Sequence, residues 1–174
     1  MKFMNLFFKS IGLYDRSILN IEINKSILAE KLKKITYTTN LNFSLISDSA
    51  IPTRFEYRGQ ISNTHFMIRR RKRFFDINNI NAIINGTFSE EIGNTSITLE
   101  ITPSLYHTLP FIVTIIFCLL FGFTFINEKN IEIIWPLTIA VITNVGYYLA
   151  LKNNIKRNKY DFERELNFIV QKGN

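Results

Sequence analysis

The chain has 174 residues, 47% of them hydrophobic, and a formal net charge of +7. That length allows one compact domain beside any membrane segments, not two. The single cysteine, Cys118, excludes a disulfide within the chain and leaves a cysteine-based metal site unsupported.

Residues 1–16 carry Lys2 and an apolar stretch that Lys9 ends after six residues, too short for the apolar region of a secretory signal. Phe3, Met4, Phe7, Phe8 and Ile11 form one face of a short helix. That face either lies on a bilayer or packs on the domain, and the pattern leaves both open. Over residues 17–23, Leu19, Ile21 and Ile23 alternate with polar residues and predict a strand. Ser26 is the expected cap of a helix reaching Ile35, with Ile27, Leu28, Leu32 and Ile35 on its apolar side. Residues 38–52 are polar and poorly patterned, with one short strand around 42–46. Phe55, Tyr57 and Ile61 predict the next strand, and residues 65–70 another, joined by a turn at Ser62-Asn63-Thr64. After a loop around 78–81, residues 82–89 and 95–101 predict a second hairpin across Gly93, a residue free to take positive φ. Ile97, Leu99 and Ile101 face one way there, Thr98 and Glu100 the other.

Two uncharged apolar runs follow, at 108–126 and 133–151, each 19 residues long. As helices they measure about 28 Å, which matches a hydrocarbon core of about 30 Å. They predict a transmembrane hairpin joined by a loop at 127–132. Before the first run stand 14 Lys/Arg against 9 Asp/Glu, and after the second 6 against 3. Lys152, Lys156, Arg157 and Lys159 follow the second run at once. Basic flanks stay inside, so both chain ends are expected in the cytoplasm and the loop outside. Trp135 then falls at the outer interface, and Tyr106, Tyr147 and Tyr148 at the inner one. In the tail, 152–174, Phe162, Leu166, Ile169 and Val170 recur at helical spacing. So short a helix needs a partner, and the sheet is the expected one. The expected fold is therefore α+β: a cytoplasmic antiparallel sheet of four or five strands over residues 17–107. One helix near 26–36 and the tail helix cover it, with the hairpin inserted before the tail.

Arg69-Arg70-Arg71-Lys72-Arg73 is the densest charge in the chain. Five adjacent cations cannot all be neutralised locally, and the nearest anions expected for them are the phospholipid headgroups of the inner leaflet, at about 1 kcal/mol per cation near the surface. A solvated turn that only enforces topology is the plainer reading. Nucleic acid is the remaining rival, but only Phe74 and Phe75 offer rings beside the run. Asn144, in the second run, is expected to hydrogen-bond to the first run or to a second subunit, for about 0.6–2 kcal/mol. Its alternative, lining a water path, needs an oligomer. Thr114, Cys118 and Gly122 offer small surface on the first run, and Gly146 with Ala150 a small pair on the second. His65 and His107 stand over forty residues apart without companions, and Glu90-Glu91 belong to a hairpin end. No catalytic set, cofactor or metal is expected.

Residues 55–61 (Phe-Glu-Tyr-Arg-Gly-Gln-Ile), 66–70 (Phe-Met-Ile-Arg-Arg), 84–88 (Ile-Asn-Gly-Thr-Phe) and 93–97 (Gly-Asn-Thr-Ser-Ile) carry a resemblance. Their pattern resembles an uncharacterised family of small bacterial two-span membrane proteins, which read F-x-G-x-I, F-x-I-x-R, P-x-I-x-G-x-I and G-T-x-I before the hairpin. It covers about residues 50–170. Asn81-Ala82 departs from it where a proline step is usual, and Gly93-Asn94-Thr95 where Gly-Thr is. The family has no assigned activity, so the resemblance implies architecture alone. The composition, rich in Asn, Ile and Lys, suits an AT-rich bacterial genome. The expected function is a non-enzymatic binding or scaffold domain anchored in the inner membrane of a bacterium, touching anionic lipid or a protein partner through its sheet surface. The alternative is an oligomeric two-span effector that permeabilises the bilayer.

Overall fold

The computed structural model describes residues 2–41, 47–72, 81–91, 94–128 and 134–171. The expected strand at 42–46, the turn glycine Gly93, Arg73, and most of the loops expected at 78–81 and 127–132 lie outside the described residues. The fold is α+β. Among the described residues, six strands are β1 (Asp15–Ile21), β2 (Thr36–Thr38), β3 (Tyr57–Ile61), β4 (His65–Arg70), β5 (Ala82–Glu91) and β6 (Asn94–Pro103). Four helices are α1 (Lys2–Ser10), α2 (Lys25–Ile35), α3 (Leu105–Glu128) and α4 (Ile134–Gln171). The strands form one sheet in the order β1-β6-β5-β4-β3-β2.

The sheet is mixed rather than antiparallel. β2, which the sequence did not suggest, leaves α2 directly and pairs in parallel with β3, Thr36 opposite Tyr57. Thr36 is already extended, at φ −115° and ψ 123°, so the last helical residue hands straight over to a strand. The α2 cap also sits earlier than expected. Asn24 is the capping residue, and its Oδ1 accepts from the Ser26 backbone N–H at 2.9 Å and from the Ser26 hydroxyl at 2.7 Å. The buried stripe is Leu28, Ala29 and Leu32, and Ile27, expected inside, is 47% exposed.

Period-two patterning puts Ile97, Leu99 and Ile101 of β6 in the core, with Ile84 and Phe88 of β5 and Phe66 and Ile68 of β4. Two glycines make that face possible. A Cβ at Gly86 would stand 2.0 Å from the Phe66 ring, which lies across it. Gly59, at φ 149°, brings β3 so near β4 that a Cβ would meet the Met67 carbonyl oxygen at 2.1 Å. The Phe66 ring then packs on Phe88 at 5.1 Å and on Phe162 of α4 at 5.7 Å.

Between β6 and α3 stands only Ser104, whose carbonyl accepts from the His107 and Thr108 amides and from the Thr108 hydroxyl. α3 and α4 are long and apolar enough to cross a membrane, with mean hydropathies of 2.6 and 1.5, and little of either apolar stretch is buried. α4 corrects the expectation of a separate tail helix. It runs unbroken for 38 residues, because no glycine or proline occurs between Tyr147 and Gln171. Its second half packs on the sheet through Leu151, Ile155, Phe162 and Leu166. α1 packs as well: Phe8 and, just after it, Leu13 enter the core, while Leu6 is 66% exposed.

Candidate functional site

Arg58 and Arg69 stand directly opposite one another on β3 and β4. Two like charges in that register repel unless an anion sits between them. Asp48 is that anion, delivered by a 3-10 turn, Asp48–Ala50, that Ser47 caps. Its carboxylate takes Arg58 Nη1 at 2.6 Å and Arg69 Nη2 at 2.9 Å, and accepts from the Lys72 backbone N–H at 3.0 Å. Arg70 bonds to Asp161 of α4, and Arg71 donates to the Ile51 carbonyl at 3.0 Å.

Arg69 and Arg70 of the run thus find their anions inside the fold. Their anions lie 21 and 91 residues away in sequence, which no local reading reaches. Of the four described members of the run, Lys72 is the exposed one, and the other three are half-buried. Burial alone would raise the Asp48 carboxyl. The Lys72 amide, Arg58 and the nearby Arg69 charge outweigh it and hold the group below the usual carboxylate range. Arg69 is drawn below the ordinary arginine value by burial, against the opposing pull of Asp48.

Asp48→Asn is expected to leave two largely buried guanidiniums facing a neutral amide. The full chain in detergent should lose about 2–3 kcal/mol at pH 7 by urea unfolding, short of the full penalty for a dry ion pair because the site is partly wet. Because the folded value of Asp48 is depressed, its contribution is whole above the unfolded value of about 3.9 and disappears as pH falls through the folded one. That acid-side loss should shrink in Asp48→Asn. An unchanged acid limb would assign it to other carboxylates.

The run ends at the same end of the sheet from which α3 departs. Arg69 pairs with Ile83, next to Ala82, which pairs with Pro103, and His107 lies within electrostatic reach of Lys72 and Arg69. α4 leaves the apolar stretch there too, and its next turns carry exposed Lys152, Lys156 and Arg157. The surface cations thus gather beside the two apolar helices.

Between those helices, Thr114 Oγ1 donates to Asn144 Oδ1 at 2.7 Å. Asn144 Nδ2 reaches Cys118 Sγ at 3.4 Å and its own helix at the Ala140 carbonyl, 2.8 Å. Gly122 and Gly146 do not join them: a Cβ at either would meet nothing within 4 Å, so they are not closely packed positions in this hairpin. Farther along, Tyr147 donates to the His107 carbonyl at 3.0 Å and Tyr148 to the Ile11 carbonyl at 2.9 Å. His65 sits at the opposite end of the sheet, beside the Ser62 and Thr64 hydroxyls. Among the described residues no group of three His, Cys, Asp or Glu is placed to hold a metal.

Sequence reasoning missed Asp48 and Asp161 as the partners of the run. For Asp48 a signal existed, since it is the only acid between Glu30 and Glu56 and follows a capping serine. Compared with known protein families and with curated proteins, this chain matches none.

Proposed function

We propose that α3 and α4 cross the inner membrane of a bacterium as a hairpin, with both chain ends in the cytoplasm. The α+β domain rests on the inner leaflet as a non-enzymatic binding or scaffold module. Lys72, Lys152, Lys156 and Arg157, with Arg71 beside them, face anionic headgroups, and the other sheet face, which carries Ile18, Thr87 and His65, is presented to a protein partner. The observation that carries this reading is the gathering of surface cations at the end of the sheet where both apolar helices leave. An anionic leaflet attracts such residues within a Debye length of about 8–10 Å. Nucleic acid has no comparable support, because Arg69 and Arg70 are engaged within the fold. The permeabilising effector draws none from Asn144, whose amide finds its partners inside one hairpin. Kinship with the two-span bacterial family belongs to the same proposal.

The test uses the full chain in lipid nanodiscs. Anionic lipid should raise its melting temperature over neutral lipid, and rising salt should erase the difference. Changing Lys72, Lys152 and Lys156 to Gln should remove most of it, at about 1 kcal/mol per charge. Should the triple variant respond to anionic lipid as the parent does, these cations do not face it. Orientation is read separately in a Cys118→Ser background. A thiol from Asn130→Cys should react with an impermeant reagent on intact spheroplasts, and one from Ser62→Cys only after lysis. Labelling of residue 62 from outside overturns the orientation.

A further inference from the structure

The position of α1 along α4 can be read from one hydrogen bond. Tyr148 lies three residues inside the end of the apolar run at 133–151, so about 5 Å from where that run meets its basic flank. Its hydroxyl donates to the Ile11 carbonyl at 2.9 Å, one residue beyond α1. The Tyr148 ring also stacks on Phe111 at 6.3 Å, and Phe111 is the fourth residue of the other apolar run. Phe8 of α1 is buried in the same cluster as Phe111 and Leu151. α1 is therefore wedged between the sheet and the level at which both apolar helices emerge. Its inner side is anchored by Phe8, yet Leu6 is 66% exposed and Lys9 lies on the surface one turn away.

We infer that α1 is a third membrane-contacting element, lying along the inner leaflet at headgroup depth. Leu6 enters the acyl boundary and Lys9 meets lipid phosphate. The inference rests on the proposal that α3 and α4 span the bilayer, and it names the lipid surface as the occupant of the outward side of α1. Continuity decides for lipid. α1 ends one residue before Ile11, which is bonded to Tyr148 inside the apolar run, and so lies at the depth where an amphipathic helix lies in the plane of a membrane. A lone apolar side chain beside a lysine suits that boundary, where stem and charge divide between acyl chain and headgroup. α1 widens the footprint of the domain on one leaflet, and the Tyr148–Ile11 bond ties that footprint to the spans.

The chain has a single tryptophan, Trp135, which makes the test clean. The full chain carrying Trp135→Phe and Leu6→Trp is placed in liposomes of mixed phosphatidylcholine and phosphatidylglycerol with brominated acyl chains, iodide being present on both sides. Leu6 is exposed, so the larger ring fits without repacking. Bromine near the headgroup should quench most of the emission of the new tryptophan, bromine near the chain end should quench little, and iodide should reach it poorly. Full quenching by iodide with none by bromolipid means that α1 faces water, and the inference falls. Shielding from both means that protein covers α1, and it falls as well. The parent chain separates this from the larger reading. If Trp135 is quenched by bromolipid while the new tryptophan is not, only the placement of α1 is lost. If Trp135 is untouched too, the span assignment fails with it.

Discussion

Phe162→Ala is expected to lower the stability of the full chain by about 3–5 kcal/mol, the usual range for deleting a buried aromatic ring. Phe162 is 1% exposed and meets the Tyr57 ring edge-on at 5.7 Å and the Phe66 ring at the same distance. It is the residue by which the second half of α4 enters the domain core, so its loss opens a cavity between helix and sheet. Chemical unfolding in detergent or nanodiscs measures the change, with Ile18→Ala as the control. Ile18 is 62% exposed, and its truncation should stay within about 0.5 kcal/mol. A loss below about 1 kcal/mol at Phe162 would mean that α4 merely touches the sheet.

The second large effect is expected where β4 and β5 meet. Gly86→Ala places a methyl group 2.0 Å from the Phe66 ring, and that ring is hemmed in by Phe88 and Phe162. Overpacking of this kind costs about 3 kcal/mol, at the upper end of the usual range. Phe66→Ala alone should cost about 3–5 kcal/mol. Because one substitution removes what the other collides with, the double variant should fall short of the sum by about 1–3 kcal/mol. Strict additivity would show that the ring swings aside. Gly59→Ala offers the contrast, since its obstacle is the Met67 backbone and no side-chain deletion relieves it.

Much of the fold was legible from alternation. The core rows of β4, β5 and β6, the helix before them and the two apolar stretches follow from periods of two and 3.6. What escaped notice did so for identifiable reasons. β2 is three residues long and leans on the distant β3, so no window of sequence contains its cause. The seam between the apolar run and the tail of α4 reads as a break in the sequence because composition changes there from apolar to basic. A change of composition is not a change of backbone, and the absence of glycine and proline is the better guide. The cation run was the hardest case. Density of charge is visible in sequence, whereas neutralisation depends on acids brought in by the fold, Asp48 across the sheet and Asp161 from α4.

α4 also makes the protein stiff in a particular way. A helix of 38 residues is a rod about 57 Å long, and this one has no joint where its apolar stretch gives way to its basic one. Inclining it by about 10° carries the end beyond Leu151 sideways by about 5 Å over a lever of roughly 30 Å. Phe162 and Leu166 are each 1% exposed in close-packed surroundings, which do not stretch to absorb such a displacement. The sheet therefore swings with the rod as one rigid body. Whatever sets the inclination of the apolar half also sets the compass heading of the sheet.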